Sequence, residues 1–194
     1  MTKGRPRQFE TGAALDKAML VFWRQGYRGT SLDDLTDAME INRPSLYGAF
    51  GDKEKLFLSV IDHYRFKFLV PPARRLLECE NLSDGLTQYM RAMGTVILNG
   101  ETPPGCMIAC LLSDECCDSE IIKAKLVESI QAADSTFERL FEQHITELKE
   151  GVNPSAAAGL LTAIMHGLSI RARAGASRNE LLKIWKQFMN LLLI

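Results

Sequence analysis

Between Glu40 and Phe57 the chain reads EINRPSLYGAFGDKEKLF. Arg43-Pro44-Ser45 opens a segment too short and too glycine-marked to stand as an isolated helix, because two turns do not offset the cost of helix nucleation in water. Proline is tolerated in a first helical turn, where its missing N–H has no partner in any case. Leu46 and Phe50, four apart, share a face and can bury against neighbouring helices, whereas Tyr47 points elsewhere. The segment makes sense as a small helix held by packing between longer amphipathic ones.

Working outward, apolar positions recur at spacings of three and four almost everywhere, and no run alternates as a strand does. A first helix is expected over about 10–25, with Leu15, Ala18, Met19 and Phe22 on one face, broken by the glycines of GYRGT. Ser31 caps a second helix whose first turn holds Asp33 and Asp34, where negative charge suits the helix dipole. "EIN" forms a three-residue turn before the short third helix. A long fourth helix begins at Asp52 and ends or kinks at Pro71-Pro72. Beyond it, helices are expected over about 83–98, 106–112, 119–149, Asn153 to Arg173 and from Ser177 onward. The fold class is all-α. The domain plan is an N-terminal arm and three-helix unit over 1–52, a linking helix over 53–70 and a larger helical domain over 71–194.

The 194 residues, 46% hydrophobic, carry a formal net charge of −1, so no global polycation announces nucleic acid. The basic residues are placed unevenly: Lys3, Arg5 and Arg7 form a basic arm without an acid, ahead of a mildly acidic body. No apolar leader and no 18-residue apolar run is present, which reads as a cytoplasmic chain without a membrane span. Cys79, Cys106, Cys110, Cys116 and Cys117 then read as reduced thiols, not a disulfide framework.

A short helix after a tight turn is the geometry of a helix-turn-helix, since two turns suffice to cross a major groove ~12 Å wide. Asn42, Arg43, Pro44 and Ser45 lie near the helix start, where base edges are reached. Thr30 and Ser31 at the second helix, Tyr47, and Lys53 at the fourth suit phosphate oxygens. Arg5 and Arg7 suit a narrow A·T-rich minor groove. GTSLDDLTDAMEINRPSLYGAFGDKEKLF resembles the DNA-binding domain of TetR-family bacterial transcriptional regulators: a Thr-Ser pair (Thr30, Ser31), a turn, Leu46-Tyr47 with Phe50, and Lys53, Glu54 and Leu56. The pattern departs from the family at Glu40, where glycine is usual, and at Ala49, where histidine is frequent. Glutamate is poorly suited to the positive φ such a turn uses.

The resemblance implies a regulator, commonly a repressor, that binds a palindromic operator as a homodimer and is released by a small molecule. It implies a pocket among the fourth to eighth helices, for which Tyr64, Phe68, Met90, Met93, Cys106, Met107, Cys110, Phe137 and His166 are the candidates. It also implies a four-helix dimer interface from the last two helices, with Leu160, Ile164, Leu168, Leu181, Trp185, Phe188 and Leu192. The apolar C-terminal run FMNLLLI independently suggests such a face. No metal site, cofactor or catalytic residue is expected.

Three other readings of the chain compete with this one. Cys106 follows PPG at an expected helix start, Cys110 lies one turn on and Cys117 precedes another helix. Thiols at helix N-termini react faster with oxidants and electrophiles, so the scaffold could serve as a thiol-based sensor through Cys106. A thiol enzyme would pair a cysteine with His63, His144 or His166, but no local signature accompanies that pair. A helical binding module without DNA affinity is the third.

Overall fold

The computed structural model describes residues 10–117 and 119–194. Regular structure among the described residues is helical, and the extended pairing is an isolated antiparallel bridge between Leu148 and Leu193. The chain divides into two compact units between Tyr64 and Arg65. The helix expected to link them over 53–70 is therefore shared out: residues 53–64 belong to the first core and 65–70 to the second.

The first unit holds α1 (Thr11–Gly29), α2 (Leu32–Met39), α3 (Arg43–Phe50) and α4 (Lys53–Tyr64). Helix α1 is broken at Gly26 (φ 75°, ψ 171°), one residue past the expected end, in a conformation open mainly to glycine. Ala14, Ala18, Met19, Phe22 and Trp23 form its buried stripe. Phe22 meets Phe57 edge-on at 5.1 Å, Tyr27 lies 5.0 Å from Phe57, and Trp23 meets Tyr64 edge-on at 5.1 Å. These aromatic pairs tie α1 to α4, a contact worth more than area alone. Ser31 and Asp34 complete a reciprocal capping box on α2.

Helix α3 needs this frame. Leu46 is fully buried and Phe50 half-buried; truncating a leucine so placed costs about 2–5 kcal/mol. The unusual turn residue Glu40 does take the left-handed conformation (φ 56°, ψ 39°). Its N–H donates to Asp37 O at 3.2 Å, the next N–H, from Ile41, donates to Thr36 O at 3.1 Å, and its carboxylate meets Lys17 Nζ at 2.6 Å. The turn glycine would have supplied for free is here made by glutamate against its preference.

The second unit begins with a π-helical turn, Arg65–Leu69, followed by α5 (Val70–Leu77). Pro71 and Pro72 thus open a helix instead of ending one: both lack the N–H that the carbonyls of Lys67 and Phe68 would need, so the regular ladder cannot run through. Helix α6 (Leu82–Ile97) follows, capped by Asn81. The loop Asn99–Gly105 then leads to a second π-helical turn, Ile108–Leu112, continued by the short α7 (Ser113–Glu115). Helix α8 (Glu120–Gln143) stops short of the expected 149. There His144 leaves the helix and Ile145–Glu147 form a single tight turn. Helices α9 (Pro154–Arg173) and α10 (Arg178–Leu192) start at the expected caps, Asn153 and Ser177. The chain end is fixed by Lys149 N–H donating to Leu192 O and Ile194 N–H to Glu147 O.

Candidate functional site

Helix α3 presents two chemically distinct sides. Leu46 anchors one. On the other, Asn42, Arg43, Pro44, Tyr47 and Gly48 are exposed. Asn42 caps the helix, its Oδ1 accepting from Ser45 N at 2.9 Å, so the backbone is stiff where base edges would be met. A Cβ at Gly48 would meet nothing within 4 Å, so this surface lies open. Tyr47 is 49% exposed, as expected of a side chain one position round from Leu46.

Arg43 is not a bare cation. Its Nε and Nη2 donate to Asp33 Oδ1 at 3.1 and 2.7 Å, and this carboxylate raises its pKa further. Sequence reading missed Asp33 as a partner, because the ten intervening residues carry no local spacing signal; only the turn brings the two helix starts together. Ser31 is exposed and its hydroxyl donates to Asp34 Oδ2 at 2.7 Å, which with the Ser31 N–H holds the Asp34 carboxyl below its ordinary range. Thr30 corrects expectation: it is buried, and its hydroxyl donates to Gly26 O at 2.6 Å instead of facing outward. Lys53 Nζ stands 4.5 Å from the centre of the Tyr27 ring, an orientation that keeps the ammonium at the start of α4. Arg5 and Arg7 lie outside the described residues.

The second unit holds a partly open cavity of about 170 Å³. Of the expected lining, Met93, Cys106, Phe137 and His166 contribute to it. Tyr64 does not: it packs on Trp23 within the first unit. Met90, Met107 and Cys110 are core residues outside the cavity lining, and Phe68 lies under Lys67 Nζ, 5.6 Å from its ring centre. Both π-helical turns reach the cavity, through Arg65 and Leu69 from one and Ile108 from the other, in keeping with the frequency of such turns at functional sites. Sequence reading missed Tyr89, Ser129 and Thr162, the last one helical turn before His166. Burial lowers the His166 pKa, partly countered by Asp134, and pushes the Tyr89 phenol up, so both are uncharged at neutral pH.

The thiols have different surroundings. Cys106 and Cys110 are 5% and 6% exposed, and Cys117 is exposed. The thiol brought beside an imidazole is Cys79, 3.6 Å from His144 Nε2, while His144 Nδ1 lies 2.7 Å from Glu147 Oε1. Burial and Glu147 raise the Cys79 pKa, so it rests as a thiol. His63 is engaged by Asp16 at 2.8 Å. Among the described residues no group of three His, Cys, Asp or Glu side chains is arranged to hold a metal ion, and no helix is long and apolar enough to cross a membrane.

The expected dimer face also needs correction. Leu168, Leu181, Trp185, Phe188 and Leu192 are at most 5% exposed within the single chain, while Ile164 is half-buried and Leu160 48% exposed. The most apolar stripe of α10 faces its own domain, because that stripe has the largest area to withdraw from water. Ile170, Leu182 and Leu191 are instead the large apolar side chains of α9 and α10 left at the surface with Leu160.

Comparison with known proteins follows this layout. Residues 14–60, which span the break in α1, the turn at Glu40 and all of α3, match the model of bacterial regulatory proteins of the tetR family. The chain is 32% identical over 190 residues to the HTH-type transcriptional repressor ComR of Escherichia coli (strain K12), covering 94% of this chain and 89% of ComR. It is 28% identical over 181 residues to the repressor BdcR of the same organism, covering 92% and 86%. A cysteine-substituted form of the TetR-family regulator CifR, solved with a 26-base-pair operator duplex, superposes with a TM-score of 0.88 at 29% identity, covering 97% of this chain and 100% of that one. The chain is a helix-turn-helix transcriptional regulator and belongs to the TetR family.

Proposed function

We propose that this chain is a ligand-responsive repressor that binds a palindromic operator as a homodimer in the cytoplasm and is released by a small molecule seated in the cavity of its second unit. The observation that carries the reading is α3 itself. Its packing side is buried, while Asn42, Arg43, Pro44 and Tyr47 stand outward on a stiffly capped first turn. Arg43 and Asn42 supply donors suited to base edges, and Tyr47, Ser31 and Lys53 supply groups suited to phosphate. The exposed apolar side chains of α9 and α10 support pairing of two copies, which two-fold symmetry of an operator requires. The cavity supports a small effector, and release needs only that the effector bind the two DNA-affinity states unequally.

Selection of genomic fragments by the purified chain tests this reading. A palindromic sequence should be enriched, bound as a dimer, with affinity falling steeply as salt rises. Absence of any enriched sequence, or binding indifferent to salt, contradicts it.

A further inference from the structure

Besides the phenol of Tyr89, four aliphatic hydroxyl side chains, Ser129, Thr136, Thr162 and Ser169, line the cavity of the second unit. Three of them are turned back on their own helices: Ser129 donates to Lys125 O at 2.7 Å, Thr136 to Ala132 O at 2.7 Å and Ser169 to Met165 O at 2.8 Å. Thr162 is the exception. It is 4% exposed, and its Oγ1 is buried without a hydrogen-bond partner. A hydroxyl left so inside a protein is costly and calls for a partner from elsewhere. His166, one turn along α9, lines the same space.

Most of the remaining wall is apolar, with Ala132, Ala133, Met93, Met165 and Phe137 prominent. Among the described residues the one cation of the lining, Arg65, is matched by Glu128 Oε1 at 3.5 Å. A charged ligand would lose its hydration here without gaining a counter-charge. Size narrows the choice further: an apolar cavity of about 150 Å³ holds one benzene molecule, and this one measures about 170 Å³.

We infer that the cavity takes an uncharged molecule of single-ring size bearing one hydroxyl or carbonyl group, which hydrogen-bonds to the Thr162 hydroxyl while the ring lies against Phe137 and the methionines. This deepens the ligand-responsive reading above and rests on it only for the consequence at DNA; occupancy itself is independent of it. No bond is made or broken.

Titration calorimetry of the full chain with benzyl alcohol, toluene, benzoate and 2-naphthylmethanol tests the inference. Benzyl alcohol should bind at least tenfold more tightly than benzoate and than the two-ring alcohol. Thr162→Val, which keeps the shape and removes the hydroxyl, should weaken benzyl alcohol roughly tenfold and leave toluene within twofold. Thr162→Ser should keep the alcohol's affinity. Ala133→Met, which fills the space, should abolish binding of both single-ring probes and serves if the valine variant does not fold. Equal binding of benzoate, equal binding of the two-ring alcohol, no loss in Thr162→Val or Ala133→Met, or no binding of benzyl alcohol overturns the inference. A parallel operator-binding assay separates the two readings. Benzyl alcohol that binds with this pattern yet leaves operator affinity unchanged supports the site and refutes the regulatory reading.

Discussion

Arg43, in the first turn of α3, is held by Asp33, in the first turn of α2, with Nε and Nη2 at 3.1 and 2.7 Å from one carboxylate oxygen. The pair is solvent-exposed on both sides, with side-chain exposures of 55% and 69%, so it orients the guanidinium without locking it. Arg43→Ala should weaken operator binding roughly ten- to a hundredfold and blur preference at one position of each half-site. Asp33→Asn should leave the cation unmatched, raising affinity for unrelated DNA and steepening the salt dependence by about one counterion. Fluorescence anisotropy over a salt series reads both. Weaker non-specific binding in Asp33→Asn would instead show that the carboxylate's main work is to aim the arginine.

Glu40 sits at φ 56° with its carboxylate on Lys17 Nζ, and that carboxylate is held below its ordinary pKa by the pair. Glycine adopts this backbone conformation without the side-chain clash. Glu40→Gly should raise the thermal midpoint by roughly 2–4 °C, and Lys17→Ala should lower it by less than that. A fall in midpoint on Glu40→Gly would mean that the tie to α1, not backbone ease, sets the turn.

Gly105 (φ 91°) lies where a Cβ would come within 2.6 Å of Ser169 O and 2.9 Å of Cys110 Sγ. The approach lets the loop before the second π-helical turn lie against α9. Gly105→Ala should destabilise the chain by at least ~1 kcal/mol, since both conformation and space oppose it. Chemical denaturation followed by circular dichroism checks this, with Gly100→Ala, which has open space though a similar φ, as the control.

His166 has its pKa lowered from 6.5, chiefly by burial, with Asp134 opposing. The unfolded chain therefore takes up a proton first as pH falls below 6.5, so stability should be level above 6.5 and decline below it until the folded imidazole is also protonated. His166→Gln should flatten that decline. Thermal midpoints at closely spaced pH values give the comparison.

Leu160 and Leu182 are exposed on α9 and α10. The double variant Leu160→Asp and Leu182→Asp should shift the chain to monomer in sedimentation velocity with its helicity intact. Leu181→Asp, at a position 1% exposed, should unfold the domain instead. A dimer that persists in the double variant excludes this face.

The sequence by itself determined the helical class, the caps at Ser31, Asn153 and Ser177, the three-residue turn before α3 and the inward and outward sides of α3. Each of these rests on interactions between residues a few positions apart, which local spacing records. It did not determine where Thr30 turns its hydroxyl, which carboxylate holds Arg43, or that the apolar stripe of α10 is spent on its own domain. It marked a break near Pro71-Pro72 but not its form, because missing N–H groups say that a ladder cannot run on and leave open how the chain resolves it. The cavity was decided by tertiary structure alone. Thr162 of α9 and Tyr89 and Met93 of α6 come from helices far apart in the chain, and whether a hydroxyl is left without a partner depends on which neighbours packing brings within 3 Å or so of it.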